Sequence, residues 1–514
     1  MKIEYAPSDV AIGFRSATLL EKRHLPFRRS TKVLLVLFFL TLPLVNPWVR
    51  GDGVGYYAYI RSLLVEHKLD FSNDWRAANL SFTMGRVRAD GSIDPRQYTR
   101  TGQLDNHFAI GASVLWAPFE APVHLVMLAL EHLGANVKPN GFSRPYILTM
   151  ALTTASYGFL GLVLSFRFAC LYVEERWALL ATLGIWFASS LPVYMYFNPS
   201  WSHAHSVFIV AAFLWYWHRT RQGRTLGQWV ILGLISGLML DVYYANVTVL
   251  LVPLLESLEG YWRGRRAGNL PARATAVDWQ SLRGLLAGNL LFCLATLIGF
   301  LPTLISRKII YGHPLDFGYE NVPNWQWGSP YIASAVFSSD HGLLSWTPIL
   351  ILALAGLFLF FWRDRGLAAY FSVVLLAFCY LIGGDPNWDG LSSFGNRFFI
   401  SLTPLFVLGL AISFSELARL LKRERATLVV ARSVTGLFIL WNFAFIFQWG
   451  MHLIPVRGAI SWKQMAYNQV AVVPGRVLAQ AKCYLTNRRT LMEQIEREDI
   501  QQLKQGESGV GIKK

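Results

Sequence analysis

An aspartate set among glycines is the first feature of this chain that could do chemistry. The run Arg50-Gly51-Asp52-Gly53-Val54-Gly55-Tyr56-Tyr57-Ala58-Tyr59 places three glycines around one carboxylate. Glycine there permits close backbone approach and unusual backbone angles. Beyond it, Tyr56, Ile60, Leu63, Leu64 and His67 recur at helical spacing. That pattern predicts an amphipathic helix lying on a membrane surface, with Asp52 at its start. Two uses of the carboxylate follow. As an N-cap it would accept from free backbone N–H groups and favour the helix dipole. As a general base it would take the proton of an acceptor hydroxyl. Spacing alone leaves both open.

Cations suited to an anionic partner stand at Arg397, Arg307 and Lys308, each between a loop and an apolar stretch. A guanidinium offers a planar fork that matches phosphate, whereas a helix-end cation that merely snorkels needs no ligand. Asp385, Asn387, Trp388 and Asp389 closely precede Arg397, and Asp316, Glu320, Trp325, Trp327 and His341 form a second group of the types that contact sugars. Aromatic residues also populate membrane interfaces for physical reasons alone. His203 and His205 lie two apart, a spacing that serves one helical face poorly, so a core or interfacial pair is favoured over metal binding. Cys170, Cys293, Cys379 and Cys483 are scattered without CxxC spacing and suggest neither a disulfide framework nor a zinc site. No P-loop or Rossmann fingerprint marks a nucleotide site.

These residues must be positioned by a membrane-embedded frame. Of 514 residues, 54% are hydrophobic and 15% charged, well below the quarter usual in soluble chains. Nine stretches between Val33 and Met451 contain no Asp, Glu, Lys or Arg, and most approach the roughly 20 residues that span a bilayer as helix. The net charge of +16 suits cytoplasmic loops of such a protein, and nucleic-acid binding is excluded on that ground. Basic clusters at 1–32, Arg219–Arg224, Arg263–Arg283, Arg363–Arg365 and Arg419–Arg432 read as cytoplasmic. An uncleaved first helix followed by Pro47 and Trp48 then carries Arg50 outside. Counting crossings backwards puts Asn198–Ser202, Asp241–Asn246, Arg307–His341 and Gly384–Arg397 on the same outer face as Asp52. The parity closes only if Phe108–Leu130, with Pro118, Glu120, Pro122 and His124, is re-entrant or surface-lying, or else if 203–218 or 244–259 fails to span. The first choice gives eleven spans, in a range of 10–13. The domains expected are a cytoplasmic segment 1–32, a transmembrane domain 33–451 with its first outer loop at 50–107, and a partly helical tail 452–514, whose last segment, Arg488–Lys514, is charged and frayed apart from a short helix near Leu491–Leu503.

The glycine–aspartate element, followed by Asp70-Phe71-Ser72-Asn73-Asp74 and by Asn106-His107-Phe108-Ala109-Ile110-Gly111 leading into Trp116-Ala117-Pro118-Phe119, resembles the GT-C superfamily of membrane glycosyltransferases. That superfamily includes protein O-mannosyltransferases, aminoarabinose transferases and oligosaccharyltransferases. His341-Gly342-Leu343-Leu344-Ser345-Trp346-Thr347-Pro348 and Gly395-Asn396-Arg397-Phe398 resemble elements of bacterial members. The resemblance covers about 33–450 by layout and implies an all-α polytopic fold. It implies an inverting transfer from a polyprenyl-phosphate-linked sugar to a glycan, lipid or protein acceptor, among membrane lipids. Asp52 matches the acidic residue that binds or deprotonates the acceptor. Tyr56, Asp74 and His107 join Arg397, Arg307, His203, His205, His341, Asp385 and Asp389 as substrate-binding candidates. Many members carry a second acid beside the first, where this chain has Gly53. Many also carry one in the second outer loop, where this chain has Asn198–His205. No metal ligand and no cofactor is assigned, and a divalent cation would be compatible. The implied location is a bacterial inner membrane with the site facing the periplasm. A transporter or flippase is the rival; it would place ionisable residues at mid-membrane and show paired repeats.

Overall fold

The computed structural model describes residues 29–267, 279–318 and 324–510, so the basic residues through Arg28, together with Arg273 and Glu320, lie outside the described residues. Those described are helical apart from loops and two isolated bridges, Val87 with Ile93 and Tyr98 with Leu104. Among the described residues six helices are long and apolar enough to cross a bilayer, and Leu226–Val242 and Ile349–Trp362 are shorter apolar helices. The chain is a multi-pass integral membrane protein. The helices pack where glycines let backbones meet, as membrane helices do. A Cβ on Gly356 would come within 1.7 Å of the Gly409 carbonyl oxygen, and one on Gly237 within 2.4 Å of that of Thr296.

The two ends of the bundle differ in chemistry. At one, basic loops are tied to acids at helix ends: Arg363 reaches Glu416 at 2.5 Å and Arg224 reaches Glu256 at 3.1 Å. At the other, Asn46 N donates to Tyr196 O at 2.7 Å, and Trp201 Nε1 donates to Arg50 O at 3.1 Å. The first loop and the Asn198–Ser202 connection thus share one end.

From Gly111 onward the Phe108–Leu130 stretch belongs to one continuous helix, Gly111–His132, of 22 residues, about 33 Å at 1.5 Å per residue, which Pro118 and Pro122 do not break. Its start abuts the end of the Leu226–Val242 helix, where a Cβ on Gly111 would touch Asp241. It then runs antiparallel to Arg144–Ala169, with Trp116 Nε1 on Thr154 Oγ1 at 2.9 Å and His124 beside the Tyr146 hydroxyl at 2.7 Å. The connection after it returns to the first loop: Tyr57 donates to Gly141 O at 2.9 Å, and Arg61 covers the Phe142 ring. Its start and the connection after it thus both contact elements that adjoin the Asp52 helix or its neighbours.

Two other expectations change. The segment after Asp52 is helical over Asp52–Arg61, but every residue from Gly53 to Arg61 is buried. Its small residues draw it in against Ser200 and Phe108, so it is no surface strip. The last segment is helical over Arg488–Val510 rather than near Leu491–Leu503 alone, and the tail does not stand free. It forms helices Trp462–Tyr467, Val473–Thr486 and Arg488–Val510 on the Asp52 end, where Tyr484 donates to Leu44 O at 2.7 Å.

Candidate functional site

Glycine geometry decides where Asp52 points. Gly51 holds φ +53°, a left-handed conformation that favours glycine. A Cβ on Gly53 would lie 1.9 Å from Ser200 Oγ, and one on Gly55 would lie 2.0 Å from the Phe108 ring. The Asp52 helix is thereby pressed onto the Asn198–Ser202 connection, where Arg397 and Trp201 meet it. The Arg397 guanidinium lies 4.3 Å above the Trp201 ring and its Nη1 is 2.7 Å from Asp52 Oδ2. Asp52 makes no side-chain cap; Gly51 is the N-cap residue. Gly53→Val is therefore expected to separate Asp52 from Arg397. Activity should fall by at least the roughly 100-fold that follows a 1 Å misplacement, while a milder Gly53→Ala loses less; transfer rates normalised to folded protein check this.

Arg397 is delivered by a tightly held loop. Asn396 Nδ2 donates to Trp388 O at 2.9 Å, the Phe394 N–H donates to the Tyr194 hydroxyl at 3.1 Å, and Gly395 adopts φ +61°. The side chains remain partly open, Asp52 at 32% exposure and Arg397 at 11%.

Both line a cavity of about 990 Å³, at the upper end of the roughly 300–1,000 Å³ of small-molecule sites. Its lining includes the charged residues Arg50, Asp52, Arg86, Arg397 and Arg457. Most of the rest is apolar, including Leu437, Trp441 and Phe447 on the Glu424–Gly450 helix and Val473, Val477 and Ala481 on the tail. Leu437 and Leu440 are themselves exposed, so this lining continues onto the bundle's apolar surface. Tyr56 lies against the same pair. Burial raises its hydroxyl, with Asp52 adding to the effect, to about 12.

The other sequence candidates go elsewhere. Arg307 is spent on backbone and a phenol: Asn106 O at 2.8 Å, Phe108 O at 2.5 Å and the Tyr59 hydroxyl at 2.9 Å. It holds the Asn106–Phe108 turn and does not line the cavity. Asp74 is buried in a fork with Arg61, at 2.6 and 2.5 Å. His107 stacks on Phe108 at 4.3 Å, near Asp105. His203 packs among Tyr194, Trp201 and Tyr243, while His205 faces Trp116 and Tyr157. They diverge, as their spacing requires. Asp385 accepts from Asn387 N at 2.8 Å in its own loop. His341 and Asp389 meet, with Asp340, outside the cavity. Burial lowers the His341 imidazole, and Arg397 adds to this, to about 3.

Sequence reasoning missed Trp201, Arg86, Arg457 and the whole tail wall. Arg86 was legible as an outer-loop cation; its backbone anchor, Nη1 on Phe82 O at 3.0 Å, was not. The tail is docked by charge. Arg50 pairs with Asp499 and stands 3.9 Å from Glu496, which accepts from Asn79 Nδ2 and Ser81 N. His452 bridges Glu498 and Asp499, each at 2.8 Å. Burial opposes its charge, but the two carboxylates outweigh burial and raise its pKa. That docking energy is complete below the ordinary histidine value near 6.5 and disappears as pH rises through the raised value. Proteolytic nicking within 452–487 should accordingly increase on alkalinisation, and His452→Gln should remove the pH dependence.

No protein-family model matches the chain, and no curated protein matches it. The crystal structure of ArnT from Cupriavidus metallidurans in the apo state is similar over 91% of this chain and 73% of that one, at 15% identity and a TM-score of 0.46.

Proposed function

We propose that the chain is a GT-C-type glycosyltransferase that moves a sugar from a polyprenyl-phosphate donor to a hydroxyl acceptor at the outer membrane face. The observation that carries this is the Asp52–Arg397 pair on the lining of a large, mostly apolar cavity. A lipid-linked sugar combines the same two chemistries. Its isoprenoid tail would lie along Leu437, Trp441, Phe447 and the tail helix, and its phosphate at Arg397 with Arg86 nearby. Charge-assisted contacts from guanidinium to phosphate are among the strong hydrogen bonds.

In this reading Arg397 has two anionic partners in turn. Before donor binding its Nη1 holds Asp52. The phosphate competes for the same guanidinium and releases the carboxylate toward the acceptor. The acceptor oxygen then attacks the anomeric carbon from the face opposite the phosphate, its proton passing to Asp52. The bond from that carbon to the phosphate oxygen breaks, and polyprenyl phosphate leaves with the electron pair, its charge met by Arg397. Inversion follows from the single displacement.

The test uses the full chain in liposomes with radiolabelled polyprenyl-phosphate sugars and a membrane extract as acceptor. Label should move into an acceptor and the product should be inverted. Failure of the protein to bind any polyprenyl-phosphate sugar would overturn the reading.

A further inference from the structure

A second group of residues lies beside the cavity without belonging to it. Asp340, His341 and Asp389 come from two separate loops, Ser338–Gly342 and the loop ending in Arg397, and one ligand atom from each lies within 4.8 Å of the others. His341 is fully buried; neither of its ring nitrogens, nor Oδ1 of Asp340, meets a partner with good hydrogen-bond geometry among the described residues, and the Asp389 backbone lies close to the imidazole. Packing against Trp346, with ring centroids 4.5 Å apart, accounts for the burial of the imidazole but not for its nitrogens. Buried polar atoms in native proteins are almost always satisfied, so three orphaned donors or acceptors in one cluster need an explanation.

We infer that Asp340, His341 and Asp389 form a binding site for a first-row divalent transition metal ion, of which Zn²⁺ is the probe of choice. Nδ1 of His341 stands 3.4 Å from Oδ1 of Asp340 without hydrogen-bond geometry. Two ligands on one tetrahedral ion, each about 2.1 Å from it, are separated by about 3.4 Å. Imidazole with two carboxylates suits Zn²⁺ or Mn²⁺; Mg²⁺ and Ca²⁺ prefer oxygen alone. Two carboxylates also neutralise the ion's charge. The ion would tie the Ser338–Gly342 turn to the loop whose next residue, Gly390, lines the cavity and whose end presents Arg397. It is a positioning site for the Arg397 loop, and it stands whether or not the glycosyltransferase reading does.

The full chain, stripped by chelation in detergent, is reloaded with Zn²⁺, Mn²⁺ or Mg²⁺, and bound metal and melting temperature are measured. Wild type should retain about one Zn²⁺ per chain, with a rise in melting temperature, as expected where metal binds the folded state only. His341→Ala and Asp389→Asn should each weaken Zn²⁺ binding by more than the roughly 10–100-fold that loss of an outer-shell partner costs. Asp385→Asn, which alters a neighbouring carboxylate outside the cluster, should bind as wild type does. If His341→Ala does not fold, the partly buried Asp389 carries the test through Asp389→Asn. Wild type that takes up neither Zn²⁺ nor Mn²⁺ would overturn the site, as would Asp389→Asn that holds Zn²⁺ as tightly as wild type.

Discussion

Asp52→Asn is expected to stop sugar transfer while leaving the lipid-linked donor bound. A positioned base contributes about 10²–10⁴-fold, and the turnover rate should fall by that factor. The amide is isosteric with the carboxylate but cannot accept the acceptor's proton. It also leaves Arg397 without its anionic partner, 2.7 Å away in the wild type. The donor phosphate then meets a guanidinium with no competitor, so donor affinity should hold or increase. This split separates the base from a first-turn acid that only stabilises the helix. Removing a first-turn acid costs about 0.3–1 kcal/mol of helix stability, which would lower the melting temperature slightly and leave turnover intact. Single-turnover rates beside donor-binding isotherms distinguish the two. Full transfer by Asp52→Asn would remove the base assignment.

The pairing behind that prediction was only half legible in the sequence. Asp52 was marked by its glycines, and Gly53 and Gly55 have no room for a side chain against Ser200 and Phe108. Arg397 was marked as a cation at a loop–helix junction. Nothing in either run joins residues 345 positions apart; the parity of basic loops did so, by placing both on one face. The two prolines that suggested a break in that argument lie inside a continuous helix, Gly111–His132, because a proline signals a break only when neighbouring helices are unseen. Arg307 carried the same local signal as Arg397. Its difference is tertiary: Asn106 O and Phe108 O come to it from 200 residues away. Asp74 was an acid in a matching element until Arg61, 13 residues earlier, claimed it. The tail wall was least legible. Its charges suggested a solvated end, whereas Glu496, Glu498 and Asp499 are the groups that dock it to Asn79, His452 and Arg50.

Arg397→Lys should be the most damaging conservative change in the cavity. Lysine keeps the charge but presents a compact ammonium, without the planar fork or the face that stacks on a ring. The stacking on Trp201, at 4.3 Å, and the reach to Asp52 Oδ2, at 2.7 Å, depend on that shape. A hydrogen bond to a charged group contributes about 1.5–3 kcal/mol, so loss of one phosphate contact should raise the donor KM by about 10–100-fold. The turnover rate should fall as well, because the same guanidinium meets the leaving phosphate as charge develops. If Arg397 passes from Asp52 to phosphate, the two residues act as one unit, and such units are strongly non-additive. Arg397→Lys combined with Asp52→Asn should then be little slower than Asp52→Asn alone. Two independent, multiplying losses would instead mean that Arg397 and Asp52 serve separate steps. A wild-type donor KM in Arg397→Lys would move the phosphate away from Arg397, toward Arg86 or Arg457 on the same cavity wall.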